Sequence, residues 1–320
     1  QQLRQILLGR AGKSLPPISV DWKAQLISTI SESKESFDPT EPRHQEALDS
    51  QALALQRITT RRTSVLAGRA GTGKTSVLGA LLKADELLKG GVLLLAPTGK
   101  ARVRLGRAAG TQALTVAQFL KACGRYDGKR QRVLFTGGEQ YRREKTIVID
   151  ECSMLTLDDL AAVLSAIDQA HVERLILVGD PNQLPPIGGG RPFTDWIAYL
   201  EDCADSEDPK KQDRFNCMGK LTVEVRSQAG APSDSLRLAS WFTRESQPVD
   251  ADRILSDLES NQEMNDLEVC YWSSVEDLKK AILDQFEKHL GITGSMDHKG
   301  FNKALGFNEK GLFPFDEPDG

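Results

Sequence analysis

Residues 68–75 read Gly68-Arg69-Ala70-Gly71-Thr72-Gly73-Lys74-Thr75, a G-x-x-x-x-G-K-T run suited to gripping a nucleoside triphosphate. The glycines let successive backbone N–H groups converge on phosphate oxygens, the lysine brings a point charge to the outer phosphates, and the threonine hydroxyl can ligate Mg²⁺. Gly68, Ala70, Gly71, Thr72, Gly73, Lys74 and Thr75 are therefore the candidate nucleotide-binding residues, with Lys74 also catalytic and Thr75 a metal ligand. Hydrolysis needs a second, acidic element. The apolar run Thr146–Ile149 ends in Asp150-Glu151, which puts two carboxylates at the carboxyl end of a strand, where open α/β sheets hold ligands. Asp150 is assigned to Mg²⁺ and Glu151 to accepting a proton from the attacking water. The alternative is an acidic pair capping the next helix. A third apolar run, Leu175–Val178, leads into Gly179-Asp180-Pro181-Asn182-Gln183, and Gln183 is the candidate for orienting water or sensing the outer phosphate. A plain proline-rich turn is the other reading of that segment.

These groups need a scaffold. From Leu48 to Val225 apolar runs alternate with amphipathic stretches, which predicts an α/β fold with a parallel sheet and helices on both faces. The predicted strands are Ser64–Ala67, Val92–Ala96, Thr146–Ile149, Leu175–Val178 and Leu221–Val225; the helices are Thr75–Leu88, Lys100–Ala109, Val116–Cys123 and Leu157–Ile167. Residues 1–47 read as a helical extension, and 226–320 as an incomplete second α/β unit with helices near Ser233–Arg244 and Val275–Leu290 and a strand near Leu267–Trp272. Residues 124–145 are rich in arginine and lysine, with Gly137-Gly138 as a turn signal; they read as a protruding basic hairpin or as a solvated loop. The acidic, proline-containing stretch Glu201–Lys211 reads as a surface loop.

Bulk properties narrow the class without naming a partner. The chain has 320 residues, 39% of them hydrophobic and 27% charged, an ordinary globular balance with room for two domains. A net charge of -4 gives no global signature for nucleic acid, so polyanion binding must come from local patches. The five cysteines are scattered with no C-x-x-C pair, which argues for reduced thiols and against structural zinc. No apolar stretch approaches the roughly 18 residues of a membrane span, and the N-terminus lacks a secretory pattern. A cytoplasmic protein without a membrane partner is expected.

The segments together resemble the core of superfamily 1 helicases, in particular the RecD-like branch, the exonuclease V alpha-subunit type. The likeness spans about residues 48–228. Gln51 stands at the spacing of that family's adenine-contacting glutamine, and Gly68–Thr75 matches motif I. Ala96–Ala101 matches motif Ia, Thr115–Leu120 resembles motif Ib, Asp150–Met154 matches motif II and Gly179–Pro186 matches motif III. Leu221–Gln228 resembles motif IV, which would make Arg226 a catalytic residue reaching the γ-phosphate. The resemblance implies a RecA-like P-loop NTPase that uses ATP and Mg²⁺. It places single-stranded DNA along Pro97, Thr98, Lys100, Thr115, Gln118 and Pro186; the residues themselves add that Lys100, Arg102, Arg104 and Arg107 concentrate positive charge just after a strand end, which suits a polyanion or else makes a basic solvated helix face. It further implies the first lobe of a motor whose second lobe is not completed within residues 226–320, with nuclease or other complex subunits as possible partners. Cys152 departs from the family's usual alanine and sets a thiol beside the metal site. An ATP-gated regulatory module without processive unwinding is the rival reading. A small-molecule kinase fits the phosphate loop but not Gln183–Arg191.

Overall fold

The computed structural model describes residues 2–33, 37–130, 132–135, 138, 140–223, 225, 234–242, 251–260, 264–294 and 296–304. The chain forms two compact units, residues 1–229 and 230–320. In chain order the first contains α1 (Gln2–Ala11), α2 (Trp22–Ser33), α3 (Pro42–Thr59), β1 (Thr63–Gly68), α4 (Lys74–Leu81), α5 (Asp85–Gly90), β2 (Val92–Ala96), α6 (Gly99–Ala109), β3 (Ala113–Thr115) and α7 (Val116–Ala122). It continues through β4 (Tyr126–Asp127), β5 (Arg132–Val133), β6 (Thr146–Ile149), a single 3-10 turn (Cys152–Met154), α8 (Leu157–Ala166), β7 (Arg174–Gly179), α9 (Pro192–Ala204), α10 (Pro209–Phe215) and β8 (Met218–Leu221).

Six strands form one parallel sheet in the order β3-β2-β6-β7-β1-β8. The period of two along each strand divides the core. Val65, Leu93, Leu95, Ile147, Ile149, Leu175 and Leu177 point to a face packed with Leu7, Phe119, Leu160 and Leu200 from α1, α7, α8 and α9. Leu66, Leu94, Val148, Ile176 and Val178 point to the other face, packed with Leu26, Leu55, Leu78 and Leu105 from α2, α3, α4 and α6. Both faces are covered, which is why β2 and β6 read as nearly unbroken apolar runs. This is the α/β parallel sheet predicted from the alternation of elements, and the RecA-like P-loop fold that the resemblance implied.

Several local expectations are corrected. The predicted helix Thr75–Leu88 is broken between Leu81 and Asp85, where Lys83 and Ala84 turn back to the carbonyls of Ala80 and Leu81 and the helix restarts with Asp85 and Glu86 in its first turn. The last strand ends at Leu221 instead of beginning there, because Leu221 pairs with Gly68, where β1 itself ends. Glu201–Lys211 is mostly helical: α9 runs through Ala204, and α10 starts behind Asp208, whose carboxylate accepts from Lys210 N at 2.9 Å, with Pro209 as the first helical residue. The basic hairpin turns at 128–130, where the Asp127 carboxylate accepts from the N–H groups of Lys129 and Arg130. Gly138 is not in that turn; Gly137 lies outside the described residues. The hairpin is also anchored, since Tyr126 and Val133 rest on the core and buried Arg125 donates to the Phe135 carbonyl.

The second unit contains α11 (Asp234–Trp241), α12 (Ala251–Glu259), α13 (Val275–Leu290) and α14 (His298–Ala304). Asp234, 8% exposed, accepts from Arg237 at 2.6 Å and from Asn265 N at 2.7 Å; Arg237 also reaches Asp257 at 3.2 Å. Ser274 caps α13 by accepting from Asp277 N at 3.1 Å. The strand expected near Leu267–Trp272 does not form: Leu267 is half-buried, Glu268–Trp272 are exposed, and among the described residues no neighbouring strand offers this backbone a ladder.

Candidate active site

The sheet order decides what can meet. With β7 between β1 and β6, the carboxyl ends of three adjacent strands deliver Gly68, Asp180 and Asp150 to one edge. The phosphate loop bends there through Gly71 (φ 85) and Gly73 (φ 87), a region that side chains rarely enter. A Cβ on Gly68 would stand 2.6 Å from the Thr72 hydroxyl, and one on Gly73 would collide with the Gln51 amide. Thr72 is buried and its hydroxyl donates to Arg69 O at 2.8 Å, while Ala70 and Thr75 are exposed at the loop surface. Val225 N donates to Gly71 O at 2.9 Å, tying the chain beyond β8 to the loop.

Lys74 folds back, its ammonium donating to Gly68 O at 2.6 Å and Arg69 O at 2.9 Å. Burial lowers its pKa, opposed by the charges of Asp180, Glu151 and Asp150. Gln51, 2% exposed on α3, donates to Thr72 O at 3.1 Å, and its Oε1 is buried without a hydrogen-bond partner. Asp150 Oδ1 accepts from Glu151 N at 2.9 Å; burial first, and then the charge of Glu151, raises the Asp150 carboxyl above the usual aspartate range. Glu151 sits at φ 54, ψ 41, left-handed backbone for a residue with a side chain, and its Oε2 is also buried without a partner. Gln183, exposed in the turn after β7, accepts through Oε1 from the Ser153 hydroxyl at 3.3 Å. The Asp180 carboxylate accepts from Asn182 N at 2.9 Å and shapes that turn. The Cys152 thiol donates to Ile149 O at 3.0 Å, and complete burial pushes its pKa well up, so the thiol beside the acids is a packed group rather than a nucleophile.

The candidate strand path divides. The register pair Ala96 and Thr115 brings the ends of β2 and β3 together, and with them Pro97, Thr98 and Lys100 on one side and Thr115 and Gln118 on the other. Thr98 caps α6 by accepting from Ala101 N at 3.2 Å. Thr115 and Gln118 form a reciprocal capping box at the start of α7. Pro186 lies in the loop after β7, two strands along the sheet. Arg226 lies outside the described residues. One expectation changes: Arg104, grouped with the basic residues of the strand path, instead pairs with Glu151 and stands 3.5 Å from Asp150. Three site residues, Arg104, Ser153 and Asp180, were given no role at this edge by the sequence. Asp180 had a signal, since it ends an apolar strand as Asp150 does; Arg104 had none, because only the strand order sets α6 beside the end of β6.

The glycine cradle, the lysine, an exposed threonine hydroxyl next to it and a buried carboxylate fit a triphosphate with Mg²⁺, and the orphaned Gln51 Oε1 is an acceptor suited to an amino group.

The family profile of an AAA domain matches residues 46–231, more than half of the chain. An uncharacterized protein of Methanocaldococcus jannaschii is 30% identical over 201 residues, which are 58% of this chain and 16% of that protein. The ATP-dependent RecD2 DNA helicase of Deinococcus radiodurans is 33% identical over 152 residues, 45% of this chain and 19% of that protein. The chain thus spans less than a fifth of either relative. Among solved structures, Pif1 of Bacteroides sp. in complex with ADP-AlF4 is 19% identical with a TM-score of 0.40, covering 78% of this chain and 57% of that one.

Proposed function

The chain belongs to the AAA-domain family, and from that premise we propose that residues 46–231 are the ATP-hydrolysing lobe of a DNA helicase or translocase of the RecD-like branch of superfamily 1. The observation that carries this reading is the convergence of Lys74, Asp150, Glu151, Asp180 and Gln183 at one sheet edge. Bound Mg²⁺ supplies charge neutralisation and polarisation of the outer phosphate. Thr75 and Asp150 hold that ion. The backbone N–H groups of Gly71, Thr72 and Gly73 receive phosphate oxygens, and Lys74 leaves the Gly68 and Arg69 carbonyls to do the same. Gln51 holds the base edge. Glu151 takes the proton of the attacking water, which Gln183 orients from the Ser153 hydroxyl; Arg226 contributes a further charge. The ends of β2 and β3, with Pro97, Thr98, Lys100, Thr115 and Gln118, carry single-stranded DNA, and Pro186 borders it from the loop after β7.

The test is ATP turnover with and without a thymidine oligonucleotide, in the wild type and in Glu151→Gln. The reading requires turnover that the oligonucleotide accelerates and that Glu151→Gln stops while nucleotide still binds. Turnover indifferent to DNA would replace the motor by the ATP-gated regulatory module.

A further inference from the structure

Arg104 has work that neither phosphate binding nor the capping of α6 explains. It projects from α6 onto the two carboxylates after β6, hydrogen-bonding Glu151 Oε1 and approaching Asp150 Oδ2 to 3.5 Å. The carboxylates are 8% and 11% exposed, whereas the arginine side chain is 56% exposed. The guanidinium therefore closes a buried acidic pair from the solvent side. It also takes a lone pair of Glu151, the one group placed to accept the proton of an attacking water; the other carboxylate oxygen is buried with no partner. On a helix, residues four and three apart share a face. Lys100, Arg104 and Arg107 accordingly form one basic stripe running from the start of α6, where Thr98 and Lys100 border the proposed DNA edge, and all three are exposed. Arg104 is the member of that stripe held by carboxylates.

We propose that Arg104 is a positioning residue that latches Glu151 until a nucleic-acid phosphate on the Lys100–Arg104–Arg107 face draws the guanidinium away. The exchange swaps one charge-assisted pair for another, carboxylate for phosphate, and needs no change in the sheet. No bond is made or broken and no proton moves. With Arg104 withdrawn, the Glu151 side chain is freed and the segment after β6 loses its tether to α6, leaving local contacts such as the Asp150 carboxylate on the Glu151 N–H to hold it. The latch deepens the ATPase-motor reading and rests on it, since it assigns DNA a means of switching the base on.

The experiment compares wild type, Arg104→Ala and Arg104→Lys by amide hydrogen exchange over residues 150–155 without nucleotide, with and without a thymidine oligonucleotide, and by ATP turnover under the same two conditions. In the wild type the oligonucleotide speeds exchange at 150–155; in Arg104→Ala exchange is fast already and DNA adds nothing. DNA-free turnover rises about tenfold in Arg104→Ala, the release of one charge-assisted hydrogen bond, and the stimulation by DNA shrinks accordingly. Arg104→Lys, which keeps the charge but loses the fork, falls between the two. Unchanged exchange in Arg104→Ala overturns the latch. Fast exchange in that variant with no effect of DNA on the wild type keeps the latch but overturns its release by nucleic acid. Lower turnover in Arg104→Ala with and without DNA overturns the proposal and makes Arg104 part of the catalytic machinery. A wild type that neither binds the oligonucleotide nor turns over ATP instead sinks the motor reading, and the exchange data without DNA still decide the latch.

Discussion

The two ends of the parallel sheet are built to opposite rules. At the amino ends of β1, β6 and β7, arginines spend their guanidinium hydrogens on the backbone. Arg10 donates to the Thr63 hydroxyl and to the carbonyls of Arg62 and Val172, Arg62 donates to Gln169, Ala170 and Val172, and Arg174 donates to Thr59. Burial, and then the charge of Arg62, lowers Arg10 to about 10, which still leaves it charged at neutral pH. At the carboxyl ends of the same strands, Glu151 occupies left-handed backbone, an oxygen of Glu151 and one of Gln51 are buried without partners, and Asp150 is held above its ordinary range. The amino end pairs most of its buried polar groups, Arg61 Nε and Arg62 Nε excepted, whereas the carboxyl end leaves a carboxylate and an amide oxygen unmet, which is how a site can be ready for a ligand without collapsing onto itself.

The largest effects should come from the carboxyl end and appear in activity. Lys74→Ala is expected to abolish productive ATP binding, and Glu151→Gln to reduce turnover by about 10² to 10⁴ with binding retained; turnover and equilibrium nucleotide binding measured together check both. Next comes the amino end, in stability alone. Arg10→Ala removes a set of buried charge-assisted hydrogen bonds, although Arg62 O keeps Leu175 N and Val172 O keeps Arg62, and should lower unfolding free energy by roughly 1.5 to 3 kcal/mol, read from denaturant titration, while turnover per folded molecule is preserved. A loss of turnover with intact stability would dissolve the contrast between the ends.

Smaller effects sharpen it through pH. Arg61 donates to Asp213 at 2.9 and 2.6 Å and holds that carboxyl below its usual range, so this contribution is present above the ordinary aspartate pKa and is lost as pH falls through the lowered one. Asp213→Asn should cost about 1 kcal/mol at neutral pH and nothing in acid. Asp150 has the opposite sign: its carboxyl is raised, so its favourable contribution exists below the ordinary aspartate pKa and disappears as pH rises through the raised one. Asp150→Asn should therefore stabilise the fold at neutral pH, and melting curves across the acid range should show the two variants diverging in opposite directions. The smallest effect is Lys145→Ala: its 2.8 Å pair with Glu173 at the amino end is largely exposed, and its loss should move stability by no more than about 0.5 kcal/mol.

How much was readable follows from how local each cause is. β2 and β6 announce themselves because a buried parallel strand is an unbroken apolar run, and α13 because Ser274 and Gly291 punctuate an amphipathic stretch. β3 has three residues, too few to show a period. Leu267–Trp272 carries strand-forming residues, but a strand is stabilised by a neighbour that no local pattern reports. The same limit governs the site. Lys74, Asp150 and Glu151 stand in motifs whose spacing carries the chemistry, while the pairing of Arg104 with Glu151 spans 47 positions and exists only because β2 and β6 are adjacent.

The backbone of Glu151 has a consequence for sequence drift. At φ 54 a glycine or asparagine is more comfortable than a glutamate, so folding alone gives no reason to keep the residue there. A descendant lineage that keeps the nucleotide cradle but has no use for hydrolysis should lose this glutamate early, and in favour of those two residues. Position 151 would then record, in a survey of related genomes, which copies still turn over their nucleotide and which have become silent holders of it.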